Sequence, residues 1–195
     1  MIRLCLFLLL AIASGDLLGA EAPAAHALPK PAFEFKNVSY FHRWSKNEQH
    51  EFTPGEQDDL NRWSDMITIN GYPDVREGQA LAAKANAVLE NYKSYQAKVL
   101  KTDSIPRTAD RPAEHLIVVV FGTPGFIEVA FARFKLVDGQ GCSVVYSHRL
   151  YGVKIGDEMS AWLAADGAEM EKALMDWRAI PSPKSLRREL LRTRS

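Results

Sequence analysis

The sequence has very little cysteine: two residues, Cys5 and Cys142, in a chain of 195. Cys5 lies in the amino-terminal leader, so the remainder has a single thiol and no internal disulfide bridge. Cys142 stands in the apolar run CSVVY, with no adjacent basic group to lower its pKa. We therefore expect Cys142 to be a buried small hydrophobic residue. The remaining chain of about 170 residues is long enough to form a core without disulfides.

An excess of one charge sign is also missing, because 24 basic residues balance 24 acidic ones. A nucleic-acid-binding domain normally has a basic excess, so the composition argues against a nucleic-acid partner. The stretch FGTPGF lacks the G-K-[ST] ending of a P-loop. Pro54 occupies the position where an H-E-x-x-H zinc motif beginning at His50 needs its second histidine. We predict no cofactor and no metal site.

The apolar run near the amino terminus, Leu4 to Ala13, has only ten residues. A membrane-spanning helix needs about 20 apolar residues, so this run is too short to serve as one. It follows Arg3 and precedes small and polar residues, which is the layout of a secretory signal peptide. We predict a signal peptide over residues 1–22, with cleavage between 20 and 27. The protein is then expected to be secreted or periplasmic, and soluble after cleavage.

One globular domain is predicted over residues 33–180, and it begins with a strand followed by two helices. Phe33 to Trp44 alternates at period two, which predicts a strand on which His42 and Trp44 share a face. Thr53-Pro54-Gly55-Glu56 matches a capping box and predicts a helix that ends near Asn70. A second helix is predicted after Asp74, with an apolar stripe formed by Leu81, Ala85, Val88 and Tyr92.

The second half of the domain is predicted to be mainly β. A short strand near Ala97 to Thr102 precedes the buried run HLIVVVFG, and a hairpin turns at Asp138 to Gly141. Two short helices follow, separated by a fresh cap at Asp166 to Glu169. The predicted order is strand, helix, helix, strands, helix, helix. This order defines an α+β domain with a mostly antiparallel sheet of about four to five strands packed against helices.

The stretch FHRWSKNEQHEF, residues 41–52, concentrates histidine, aromatic and charged side chains. We interpret it as the end of a strand followed by a solvent-exposed turn, Lys46 to His50. The alternative is a ligand-binding loop, because exposed aromatic, histidine and arginine side chains suit carboxylates, sugars and aromatic groups. His42, Arg43 and Trp44 are its candidate ligand-binding residues.

The predicted hairpin supplies the second candidate group. A loop formed by Asp138-Gly139, or by Asp138 to Gly141, places Glu128 and Arg149 on one face of the hairpin, directly opposite or diagonal. We interpret the pair as a cross-strand salt bridge. In the alternative, Arg149 lies in a concave site beside Tyr151 and binds an anionic ligand through two hydrogen bonds. The candidate ligand-binding residues of this group are Glu128, His148, Arg149 and Tyr151.

No catalytic residue is predicted from the sequence. Ser147 lies outside a G-x-S-x-G elbow and would project to the strand face opposite His148. Metal binding by His42, His115 and His148 would need three separate segments to converge. An envelope hydrolase or metal-assisted enzyme is nevertheless one alternative. Its functional residues would come from His42, His50, Glu51, Glu114, His115 and His148.

Three functions follow as hypotheses. The first is an exported, non-enzymatic binding or accessory protein of the cell envelope, whose partner is an unknown small molecule or envelope protein. The second is the enzyme just named. The third is a peripheral membrane-surface protein that uses the basic tail, residues 181–195, for weak contact with anionic lipid. The simpler interpretation of this tail is a solvated, fraying terminus.

Overall fold

The computed structural model describes residues 30–192 of the chain. The predicted signal peptide therefore lies outside the described residues. Within them, the chain forms a sheet of eight antiparallel strands with helices on both faces. Among these helices, none offers an apolar stretch long enough to cross a bilayer.

The strands are β1 (Phe33–Phe35), β2 (Val38–Lys46), β3 (Gln49–Pro54), β4 (Asp65–Tyr72), β5 (Lys98–Ile105), β6 (Glu114–Thr123), β7 (Gly125–Val137) and β8 (Gln140–Gly152). The helices are α1 (Gly78–Ser94), α2 (Gly156–Trp162), α3 (Ala168–Asp176) and α4 (Pro183–Arg192). A π-helical turn, Leu163–Gly167, joins α2 to α3.

The sheet consists of two meanders that meet in its middle, in the order β1-β2-β3-β4-β8-β7-β6-β5. Helix α1 carries the chain from β4 to the far edge, where β5 begins the second meander. Strand β8 then returns and pairs along the whole of β4, from Asp65 opposite His148 to Tyr72 opposite Gly141. Residues distant in sequence therefore become neighbours at the centre of the sheet.

Each face of the sheet has its own hydrophobic core, because successive side chains of a strand point to opposite faces. On one face, Ile117 and Phe134 pack with Leu81 and Ala85 of α1. On the other face, a larger core gathers side chains from the strands and from the carboxyl-terminal helices. Its members include Phe52, Ile67, Ile69, Val118, Phe131, Val144, Met159, Leu174 and Leu186.

The prediction of four or five strands was wrong, and so was the predicted strand-helix-helix order. Thr53 and Pro54 end β3 instead of capping a helix, and Asp65–Tyr72 is strand β4. The Thr53 hydroxyl accepts a hydrogen bond from Nε of Arg43 at 2.8 Å. Ile67 and Ile69 are both fully buried, at the two-residue spacing of a strand. Packing against the core therefore outweighs the local capping signal.

A β-bulge changes the predicted surface of β2. His42 lies opposite Phe52, whereas Trp44 lies opposite Glu51, so Arg43 is the extra residue. Because Phe52 and Glu51 are consecutive in β3, His42 and Trp44 point to opposite faces of the sheet. The prediction that they share a face was wrong, since a bulge reverses the alternation that the sequence pattern assumes.

The prediction of an exposed turn from Lys46 to His50 was wrong for its last residue, because His50 is buried. The turn itself has two residues, Asn47 and Glu48, both with positive φ, and Lys46 pairs with Gln49 across it. His50 lies in β3 and is 3 % exposed. A two-residue turn brings the chain back into the sheet sooner than the polar sequence indicates, so His50 enters the core.

Several predicted elements are confirmed. Helix α1 carries the predicted stripe, with Leu81 and Ala85 buried. The β7–β8 hairpin turns at Asp138 and Gly139, both with positive φ, as a two-residue loop requires. Cys142 is a free thiol with no exposed surface, and burial raises its pKa to about 12.

The carboxyl-terminal part differs from prediction at its centre. No fresh cap separates two helices, because Gly167 has helical φ and ψ of −57° and −46°, and the chain continues from α2 through the π-helical turn into α3. Beyond residue 180, α4 packs on the sheet and Leu186 is buried in the larger core. Lys184 donates to the Asp138 carbonyl at 3.0 Å, and Arg187 pairs with Glu48 at 2.5 Å.

Candidate functional site

At the β2–β3 hairpin, two histidines converge on one serine. His42 Nε2 lies 2.5 Å from the Ser45 hydroxyl oxygen, and His50 Nδ1 lies 2.8 Å from the same oxygen. The hydroxyl has one proton, so it donates to one imidazole and accepts from the other. His42 is exposed and its ring packs edge-to-face on Phe52, whereas Ser45 is half-buried. We refer to His42, Ser45 and His50 as the hairpin histidine site.

Burial and neighbouring charges favour the neutral form of His50. Burial is the main cause that lowers the pKa of His50 below its usual 6.5, and the neighbouring His42 and Arg187 lower it further. Glu48 acts in the opposite direction but does not outweigh them. His50 Nε2 is buried and has no hydrogen-bond partner among the described residues. The accessible side of this site is therefore the side of His42.

The predicted pair Glu128 and Arg149 is confirmed as a directly opposed cross-strand pair. Arg149 donates to the same Glu128 oxygen through Nε at 3.0 Å and Nη2 at 2.6 Å. Its guanidinium carbon lies 4.1 Å from the Trp63 ring centroid and 4.2 Å from that of Phe126, which is a double cation–π arrangement. An anionic ligand at Arg149 would have to displace Glu128.

The protonation equilibria of this pair reflect its burial. Burial raises the pKa of Glu128 above its usual range, although Arg149 acts to lower it. Burial by itself would lower the pKa of Arg149, but Glu128 outweighs it, so the pKa of the guanidinium is raised. Tyr151 accepts from the Trp63 backbone amide at 3.0 Å and so anchors the loop that covers Arg149. The group is arranged as an internal clamp between the hairpin and this loop.

His148 belongs to a different network on the opposite face of β8. The Asp65 carboxylate oxygen Oδ1 accepts from His148 Nδ1 at 3.1 Å and from the Tyr146 hydroxyl at 2.5 Å. Burial acts to raise the pKa of Asp65, but these hydrogen bonds outweigh it and hold the pKa below its usual 3.8. The His148 ring stacks on Trp162 at 4.2 Å with an interplanar angle of 8°. This network ties β4 and β8 to the end of α2.

The Arg43 side chain is also used in hydrogen bonds within the protein. Besides Thr53, it contacts the backbone carbonyl oxygens of Pro54 at 3.0 Å and Gly55 at 3.1 Å through Nη2. Its guanidinium also lies 5.6 Å from the centre of the Phe41 ring. The arginine therefore holds the exit of β3 against the bulge of β2.

A polar band of side chains crosses four strands on the α1 side of the sheet. Two rows of directly opposed residues form it, and helix α1 packs further along the sheet, on β6 and β7. Val145 contacts the core beneath α1, which fixes the face on which both rows lie. The rows, together named the open band, are Trp44-Glu51-Thr68-Val145 and Lys46-Gln49-Asn70-Ser143.

The open band presents hydrogen-bonding groups in an ordered arrangement. Gln49 Nε2 donates to Glu51 at 2.8 Å, and Asn70 Nδ2 donates to the Ser143 hydroxyl at 3.1 Å. Glu51 and Ser143 are buried within it, Lys46 is exposed and the other members are half-buried. With strands about 4.8 Å apart, the band extends for roughly 15 Å across the sheet.

The structure thus brings together only part of the predicted site. Glu128, Arg149 and Tyr151 form one group, while His42, Trp44 and His148 lie in three different places. His115 hydrogen-bonds Ser104 at 2.8 Å on another strand pair. Across residues 30–192, no three or more side chains of histidine, cysteine, aspartate or glutamate meet as metal ligands would.

A shallow cleft of about 270 Å³ lies beside the β6–β7 turn. Its walls are formed by residues 123–127 and 152–156. None of the seven predicted ligand-binding residues lines it.

A buried ion pair escaped prediction altogether. Arg133 is 1 % exposed and donates through Nε to Glu114 at 2.7 Å. Its Nη1 binds the carbonyl oxygens of Leu174 at 2.7 Å and Trp177 at 2.9 Å, at the end of α3. A charged residue within the run AFARFKLV was a usable signal, because an inward position in an otherwise apolar strand requires a partner.

Asp65, Ser45 and Trp162 were also missed. Asp65 fell within the predicted first helix, although the alternation of DMITIN indicates a strand that begins there. Ser45 and Trp162 have no distinguishing signal in the sequence, since their importance comes from contacts with distant strands.

Comparisons with known proteins give remote structural likenesses only. No protein-family model matches the chain. No curated protein sequence matches it either. The Saccharomyces cerevisiae Ran-binding protein Mog1p has a TM-score of 0.46 at 10 % identity, covering 70 % of this chain and 82 % of its own. A mutant of protein Mog1 has a TM-score of 0.47 at 11 % identity, with the same coverage of 70 % and 82 %. Human STARD10 has a TM-score of 0.29 at 11 % identity, covering 71 % of this chain and 74 % of its own.

Proposed function

We propose that this chain is an exported, non-enzymatic binding protein of the cell envelope whose open band binds a polar, polyhydroxylated small molecule. The observation that carries the proposal is the open band itself. Its two rows combine one tryptophan with amide, hydroxyl and charged groups on four adjacent strands, away from β6 and β7, on which α1 mainly packs.

The chemistry of the band suits a ligand with many hydroxyl groups. Amide side chains such as Gln49 and Asn70 donate and accept at once, as paired hydroxyls require. Trp44 supplies a flat apolar surface with a polar N–H at its edge. Lys46 is the exposed charge of the band, whereas Glu51 is buried and accepts from Gln49, so ligand recognition would depend mainly on the neutral polar groups.

Export is supported by the sequence. The ten-residue apolar run after Arg3, followed by small residues, is the argument for a cleaved signal. Amino-terminal sequencing of the exported form is expected to show a start between Glu21 and Leu28. Recovery of the chain with Met1 intact in a membrane fraction would contradict this part of the proposal.

The binding part is tested with a panel of soluble oligosaccharides, followed by tryptophan fluorescence and equilibrium titration. At least one member is expected to bind saturably. Thr68→Lys, which places a long charged side chain at the centre of the band, should weaken that binding by tenfold or more. The matched control is Thr102→Lys, the same substitution at an exposed position of the edge strand β5. It should leave binding unchanged.

Two outcomes would overturn the assignment. Equal effects of Thr68→Lys and Thr102→Lys would show that the ligand binds elsewhere. Absence of saturable binding to any saccharide, combined with crosslinking of an envelope protein to the band, would replace the small molecule by a protein partner.

A further inference from the structure

We propose that the hairpin histidine site binds a late first-row divalent metal ion, with copper(II) bound most tightly. The prediction of no metal site rested on a missing zinc motif and on an exposed His50. The structure instead places His50 beside His42, and the site stands independently of the function proposed for the open band.

The geometry of the two imidazoles carries this inference. His42 Nε2 and His50 Nδ1 approach one atom, the Ser45 hydroxyl oxygen, from adjacent strands. Ring nitrogens that converge on a single point can share an ion at about 2.0–2.1 Å from each, the usual metal–nitrogen distance. In the metal-free protein, the Ser45 hydroxyl keeps both nitrogens directed at this point. A rotation of the serine side chain about χ1 would open the point to the ion.

The type of ion follows from the ligands. Imidazole suits copper, nickel and zinc, while magnesium and calcium prefer oxygen ligands. Among the late first-row divalent ions, copper binds a given nitrogen site most tightly. Two nitrogens leave the remaining coordination positions to water or to the serine hydroxyl, which the tetragonal geometry of copper(II) accepts.

The charges around the site are balanced. One of the two imidazoles donates its ring N–H to the Ser45 hydroxyl, so metal binding requires that imidazole to carry its proton on the other ring nitrogen. The charged groups that act on His50 are Glu48 at the turn and Arg187 of α4, which form an ion pair with each other at 2.5 Å. Their opposite charges leave the site without a strong net repulsion toward a cation.

The same geometry sets a limit on affinity. His50 Nε2 has no hydrogen-bond partner among the described residues, whereas tightly bound metals normally have histidine ligands oriented by such a partner. The pair also lacks a third ligand of the usual kind within residues 30–192. We therefore expect reversible binding, weaker than that of closed structural zinc sites.

The experiment is a calorimetric titration of the untagged chain with Cu²⁺, Zn²⁺ and Mg²⁺. The chain carries His26→Ala, so the four histidines that remain of five are those at positions 42, 50, 115 and 148. One Cu²⁺ per chain is expected, with weaker Zn²⁺ binding and none for Mg²⁺. His42→Ala should weaken copper binding by about tenfold or more, as loss of metal-site residues does. Electron paramagnetic resonance should show two coordinated nitrogens in the parent and one in this variant.

His115→Ala is the matched control, because His115 also hydrogen-bonds a serine, and within residues 30–192 no second histidine hydrogen-bonds that serine. It should titrate like the parent. His42 is exposed, so its replacement does not depend on the core tolerating a cavity. Ser45→Ala keeps both histidines and should retain a two-nitrogen copper signal. Copper binding that is absent in the parent, or equal in His42→Ala and the parent, would overturn the site. So would binding that His115→Ala abolishes.

Discussion

Replacing Arg133 tests how the carboxyl-terminal helices are held on the sheet. Its guanidinium joins Glu114 of β6 to the last carbonyl oxygens of α3, and all of these groups are buried. Arg133→Met keeps most of the side-chain volume but removes every one of these hydrogen bonds. Among the described residues, Glu114 then retains Lys135, at 3.6 Å. The carbonyl oxygen of Trp177 loses the arginine, and that of Leu174 keeps the Trp177 backbone amide at 3.4 Å.

The expected cost follows from leaving a charge buried without its partner. Breaking a buried ion pair on one side costs about 3–5 kcal/mol, out of a total stability of roughly 5–15 kcal/mol. For a domain of this size, each kcal/mol lowers the melting temperature by about 2–4 °C, so a decrease of about 10 °C is expected. The double variant Arg133→Met with Glu114→Leu also removes the buried carboxylate of Glu114. It should lose only about 1–3 kcal/mol, mainly because the Trp177 carbonyl oxygen loses its arginine donor and the Leu174 carbonyl oxygen keeps one long hydrogen bond.

Urea unfolding followed by far-ultraviolet circular dichroism at pH 7 measures these differences. Arg178→Met, the same substitution at an exposed position just after α3, is the control and should not move the midpoint. A loss below about 1 kcal/mol in the single variant would refute the reasoning. A double variant no more stable than the single one would do the same.

Three further expectations concern single residues. Cys142→Ser should lower the free energy of unfolding by about 1–3 kcal/mol in a urea titration, because the new hydroxyl is buried in an apolar core. Any function should be kept. Asp65 has a lowered pKa, so its stabilising contribution is fully present above 3.8 and is lost as the pH falls through the folded-state value. The stability difference between parent and Asp65→Asn should therefore be constant near neutral pH and shrink below 3.8, and a difference independent of pH would contradict this. Gly122→Ala should destabilise the chain because a Cβ there overlaps the Phe126 carbonyl oxygen, while Gly78→Ala, which meets nothing within 4 Å, should leave the melting temperature unchanged or slightly raised.

Local patterns predicted the elements whose signals agree with their packing. Helix α1 and the β7–β8 hairpin have consistent periodicity and turn residues, and both formed as expected. The first predicted helix failed because a capping signal at Thr53 competed with the alternation of Ile67 and Ile69. The strand pattern prevails because both isoleucines fill the core between two distant parts of the chain.

The candidate sites were harder to predict for a related reason. The pairing of Glu128 with Arg149 depends only on the register of one hairpin. The alternation of side chains along its two strands was therefore enough to predict the pair. The meeting of Asp65 with His148 depends on β4 lying beside β8, which no local pattern encodes. The hairpin histidine site depends on a bulge at Arg43, and a bulge inserts one residue without a distinctive sequence.

The pairing of β4 with β8 also has a consequence for how the chain folds. Eight residue pairs join these strands, yet their partners are separated by about 70 to 80 positions in sequence. The first meander therefore keeps an open edge at β4 until the last strand of the second meander has formed. Non-local pairing of this kind slows folding and leaves an apolar edge exposed to other chains in the meantime. A chain truncated before Gln140 would keep that edge permanently, so we expect it to aggregate rather than to form half of the sheet.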